Sequence, residues 1–136
     1  MKTLLIIDSK KHKEDSEEIR SLFEGLKKYS EVLVHDMNSD KMLHEHFFEI
    51  KQSGADLFFT VDGAGFELRT ESDRLSFNVI PGRFIHLFSG SGEEYSDLLN
   101  MRMNFSHFVY FENDIKEKYD SSEKWLEYAL REALLI

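Results

Sequence analysis

The ten residues "DLFFTVDGAG", 56–65, decide the fold. From Leu57 to Val61 the chain is apolar except for Thr60, and it then meets Asp62, Gly63, Ala64 and Gly65. A run without apolar–polar alternation suits a strand covered on both faces, as in a parallel sheet. The glycines supply the turn that leaves it. Similar runs recur at 4–8 ("LLIID"), 32–37 ("VLVHDM"), 83–89 ("RFIHLFS") and 107–113 ("HFVYFEN").

The intervening segments have helical spacing. Ile19, Leu22, Phe23, Leu26 and Tyr29 share one face, and Asp15 with Glu18 predicts a capping-box variant at its start. Leu43, Phe47 and Ile50 mark a second helix closed by Gly54. "LSFNV", 75–79, alternates like a strand. A parallel connection needs a crossover, however, which favours a short helix opened by Thr70 and Asp73 and running through Leu75 and Val79, ended by Pro81 and Gly82. Tyr95, Leu98 and Leu99 mark another. The last begins near Ser122, with Leu126, Ala129, Leu130, Ala133 and Leu134 on one face. Its apolar end should pack on this domain or on a second subunit.

Alternating strands and helices predict a single α/β domain over 1–136. The expected architecture is a three-layer, doubly wound sandwich with a five-stranded parallel sheet, Rossmann-like or flavodoxin-like. Strand orders 3-2-1-4-5 and 2-1-3-4-5 fit equally well.

Composition narrows the function. A formal net charge of −9 disfavours nucleic acid and anionic membranes as partners. The absence of cysteine excludes disulfides, thiolate catalysis and Cys-ligated zinc. The apolar run Leu4–Ile7 is too short for a signal-peptide core, and no run reaches a membrane span. A cytoplasmic location is expected.

In doubly wound folds, ligands bind beyond the carboxyl ends of the strands. Those ends carry the candidate residues Asp8, Ser9, Asp36, Asp62, Gly63, Gly65, Ser89, Gly90 and Glu112. An acidic rim could hold Mg²⁺ or sugar hydroxyls. Asp residues there also serve simply as caps and turn formers. "DGAG" lacks the third glycine of a dinucleotide fingerprint and follows the third strand, not the first. "SGSG", 89–92, could cradle a phosphate, but Glu93 and Glu94 follow at once and would take the positive helix end. His44 and His46 point about 200° apart on a helix and cannot share a metal. His35 and His86 read as hydrogen-bonded core residues, and His12 and His107 as isolated ones. No metal site and no cofactor are expected.

The stretches "ADLFFTVDGAGFELRT", 55–70, and "LSFNVIPGRFIHLFSGSGEEYSDLL", 75–99, resemble the N-terminal half of GT-B type glycosyltransferases of the spore-maturation kind. The matching residues are Ala55 to Gly65, Asn78 to Pro81, and Ile85-His86. The resemblance implies an acceptor-side or accessory domain, inactive alone, because that family's nucleotide-sugar site lies mainly on a further domain. A sugar-type ligand, a protein partner or a homodimer would follow. The alternative resemblance is to receiver domains of two-component signalling, through "LLIIDS" and "ADLFFTVDGAG". It implies Asp8 as a Mg²⁺ ligand, Asp62 as phosphoacceptor and Ser89 as switch hydroxyl. An acid pair after the first strand is replaced by Asp8-Ser9, and the lysine after the fifth by Glu112-Asn113. That implies a degenerate receiver acting by protein contact. A third reading is a small Mg²⁺-dependent enzyme using Asp8, Asp36 and Asp62.

Overall fold

A computed structural model describes residues 1–65, 82–90, 93–96, 108–119, 122–133 and 135. The described elements are β1 (Lys2–Ile7), α1 (Glu17–Lys27), β2 (Glu31–Asp36), α2 (Leu43–Gln52), β3 (Leu57–Val61), β4 (Arg83–Phe88), β5 (Phe108–Phe111), α3 (Glu112–Lys118) and α4 (Ser122–Glu132). The five strands form one sheet in the order β2-β1-β3-β4-β5, and every neighbouring pair is parallel. This is the flavodoxin-like order, one of the two left open by the sequence. It places the topological switch point between β1 and β3.

Period-two geometry sends alternate residues of each strand to opposite layers. Leu5 and Ile7 of β1, Leu57, Phe59 and Val61 of β3, and Ile85 of β4 face α1, α3 and α4. Leu4 and Ile6, Phe58, and Phe84 face α2 with Phe47 and Ile50. Because both faces are covered, all five residues of β3 are buried. That burial explains the unbroken apolar run.

The first helix is capped by Ser16, not by Asp15. The Ser16 hydroxyl accepts from the Ile19 N–H at 3.4 Å, and the hydrogen bond is worth about 1 kcal/mol. Gly25 lies inside this helix, where glycine costs up to about 1 kcal/mol relative to alanine. A Cβ there would sit 3.0 Å from Leu126 Cδ2, so glycine lets α4 approach α1 closely. The final helix packs on this domain: Trp125, Leu126, Ala129 and Leu130 are buried in the same cluster as α1. Trp125 lies with its ring centroid 6.1 Å from Phe59 and 5.6 Å from Tyr110.

The fifth strand is shorter than the apolar run suggests. It ends at Phe111, and Glu112 opens α3, a helix that the sequence reading missed. Glu112 and Asp114 suit the first turn of a helix, and Ile115 buries against α4. The expected helix through Leu75 and Val79 and the Asn78–Pro81 step lie outside the described residues. So do Leu98 and Leu99, Ser91 and Gly92, and His107.

Two of the histidines in strands are core residues with partners. His86 Nδ1 lies 2.6 Å from Thr60 Oγ1, and His35 Nε2 lies 2.9 Å from His46 Nδ1. Burial, and then the neighbouring His46, push His35 below the usual imidazole value. No described helix is long and apolar enough to cross a membrane.

Candidate functional site

The end of β3 is the centre of the site. Asp62 follows Val61 with φ of 52°, and Gly63 and Gly65 follow at 76° and 87°. Such left-handed backbone turns the chain sharply at the sheet edge, and aspartate tolerates it better than most side chains. The turn sends Asp62 back over the strand ends, where it is only 3% exposed.

Donors surround its carboxylate. Oδ1 accepts from the Ser89 N–H and from the Tyr95 hydroxyl, both at 2.7 Å. Oδ2 accepts from the Ser89 hydroxyl at 2.8 Å and pairs closely with His12 Nε2. A carboxylate offers about four acceptor positions, and all are taken. The backbone joins in: Asp62 N–H donates to Leu87 O at 2.7 Å, and Lys11 Nζ donates to Asp62 O at 3.2 Å. Burial works against the charge of Asp62. The Ser89 amide, Tyr95, His12 and the Ser89 hydroxyl outweigh it and hold the carboxyl below its usual range.

The other acids serve different ends. Asp36 Oδ1 accepts from the Ser9 N–H at 3.0 Å and the Asn38 N–H at 2.8 Å, while Asn38 Nδ2 donates to Ser9 Oγ at 2.9 Å. This set pins the end of β1 to the end of β2. Asp8 Oδ1 accepts from the Lys10 N–H at 3.0 Å, a local turn. Asp8, Asp36 and Asp62 do not gather. Among the described residues, the three metal-ligating side chains that meet within 4.8 Å are His35, His46 and Glu49. At Gly90, an added Cβ would fall 1.5 Å from Glu94 Oε2, so the Glu94 carboxylate occupies the space against that glycine.

A cavity of about 420 Å³ adjoins this cluster, with His12 and Ser89 in its wall. Leu22, Val61, Leu87 and Trp125 give it an apolar lining, and Glu17, Glu18, Glu112 and Glu123 add acids. Glu112 lines this cavity from the start of α3.

The structure therefore joins Asp62 to Ser89, and Asp36 to Ser9, as strand-end geometry allows. It adds Lys11, His12 and Tyr95, which sequence reasoning missed. His12 is not isolated. The signal was present in "DSKKHK", 8–13, but it has meaning only once β1 and β3 are known to be neighbours. Comparison with protein-family models, curated proteins and solved structures returned no match.

Proposed function

We propose that this protein is a non-catalytic binding domain on a receiver-like frame, in which Asp62 is a latch and not a reactive group. The observation that carries this reading is the complete occupation of the Asp62 carboxylate by donors of the chain itself. A nucleophile or metal ligand needs a free oxygen, and here each oxygen already accepts twice. The strand order supports a receiver-like frame, and Ser89 takes the place that the resemblance assigns to a switch hydroxyl. Lys11 and His12 reach the site from the first loop, Lys11 through the Asp62 carbonyl and His12 through its carboxylate. The role left to such a domain is protein contact, with a second copy included among its partners.

The glycosyltransferase resemblance supports a non-catalytic role by another route, as an acceptor-side domain with a sugar-type ligand. Of its matching residues, Ala55 to Gly65 and Ile85-His86 lie on β3 and β4 and the segments beside them. Sugar binding in saturation-transfer NMR would favour this reading over the receiver-like one.

The expected result with acetyl phosphate and Mg²⁺ is no labelling of the chain by intact mass. Beryllofluoride with Mg²⁺ should leave the amide resonances of Ser89 and Gly63 in place. Labelling that disappears in Asp62→Asn would overturn the proposal.

A further inference from the structure

We propose that His35, His46 and Glu49 form a binding site for a first-row divalent transition metal of the zinc class. The site lies between β2 and α2, on a different strand from Asp62. His35 Nε2 and His46 Nδ1 face each other at 2.9 Å. Glu49 follows His46 by three positions, which puts both on one face of α2. Its Oε2 lies 3.6 Å from His35 Nδ1, and one ligand atom from each of the three residues falls within 4.8 Å of the others.

This spacing is close to that of a chelate. Zinc–nitrogen bonds of about 2.0–2.1 Å at tetrahedral angles place two ligand nitrogens about 3.3 Å apart. A small opening of the imidazole pair admits the ion. Two imidazoles and one carboxylate make a zinc donor set that leaves a fourth position for water. Imidazole nitrogen selects zinc-like ions over Mg²⁺ and Ca²⁺, which prefer oxygen.

The proton count closes within the site. Without metal, one N–H bridges the two rings. With metal, both facing nitrogens must present lone pairs. His46 meets that need by carrying its proton on Nε2, where Ser39 Oγ lies 3.2 Å away. A hydroxyl can donate before this shift and accept after it. His35 carries its proton on Nδ1. Only the His46 tautomer changes.

Glu49 is already oriented. Lys41 Nζ holds its Oε1 at 2.6 Å, which leaves Oε2 on the imidazole side. The two histidines are buried while the Glu49 side chain is 44% exposed, so the ion has a path from solvent along α2.

The test is calorimetric titration of Zn²⁺ into the chelator-treated full chain, with Co²⁺ as a spectroscopic substitute. The expected result is one ion per chain, a raised thermal midpoint, and shifted imidazole nitrogen resonances of His35 and His46. Glu49→Gln, a surface change that should fold, weakens binding about tenfold or more. His35→Gln abolishes it, whereas His44→Ala, on the exposed side of α2, leaves it unchanged. The proposal is overturned if Zn²⁺ does not bind, if Glu49→Gln binds as tightly as the parent, or if His44→Ala loses the ion. Equal binding of Mg²⁺ also overturns it. Should His35→Gln fail to fold, Glu49→Gln and the nitrogen resonances decide the matter.

Discussion

Asp62→Ala is expected to lower unfolding free energy by about 3–5 kcal/mol, read by urea denaturation. Two losses combine. Donors from Ser89, Tyr95 and His12 lose their shared acceptor. Alanine must also take the left-handed backbone at φ of 52°, which costs it about 1–2 kcal/mol. Asp62→Asn separates the two, because asparagine accepts that backbone and keeps the shape. It should lose about 2 kcal/mol, the share owed to charge-assisted hydrogen bonds. The pH dependence has a definite sign. The folded carboxyl is held below its usual value, so its stabilisation is present above the unfolded pKa of about 4. It is lost as pH falls from there through the folded value. The gap between the parent and Asp62→Asn should therefore close in acid. A gap that stays constant down to strong acid would mean that the carboxylate charge contributes nothing.

Gly82→Ala should cost about 3–5 kcal/mol for a purely steric reason. Gly82 enters β4 with φ of 136°, a backbone that L-residues rarely adopt. A Cβ there would lie 2.5 Å from Phe58 Cε2 and 3.3 Å from Asp56 O. Phe58 has little freedom to yield. Its ring stacks on Phe84 with centroids 4.8 Å apart, and both are buried under α2. Gly54→Ala is the matching control. It has a φ of 68° but nothing within 4 Å of the new Cβ, so only the backbone term of about 1 kcal/mol remains. Equal losses at the two glycines would sink the packing argument. Thermal scans suffice, because 1 kcal/mol shifts the midpoint of a domain this size by about 3–5 °C.

The layers of this fold were legible because burial on both faces writes itself into β3 and its neighbours as unbroken apolar runs. The turn at Asp62 was legible too, since Gly63 and Gly65 have few other uses there. Strand order was not legible. It depends on which crossover passes which face, and no local pattern encodes that choice. The Asp62 cluster inherits the same blindness. Ser89 was predictable as a neighbouring strand end, but His12 reaches Asp62 only because β1 lies beside β3. Likewise, His46 was compared with His44 along one helix, when its partner stands on β2. The start of α3 was hidden because Phe111 and Glu112 continue smoothly from an apolar strand.

The register of the sheet gives the two imidazole pairs a further meaning. His35, Ile6, Thr60 and His86 form one lateral row across β2, β1, β3 and β4, all on the α2 side. A slip of β4 by one residue would turn His86 away from Thr60 and into the apolar layer around Trp125. The imidazole would lose its partner there, at a cost of about 1–3 kcal/mol. A slip of β2 would strand His35 in the same way. Apolar residues alone resist such slips weakly here, since apart from Thr60 the residues of β3 are apolar toward both layers. The buried polar pairs are therefore expected to act as keys that favour one alignment of the strands, so that replacing Thr60 and His86 together by valine and leucine should cost less stability than removing either partner alone.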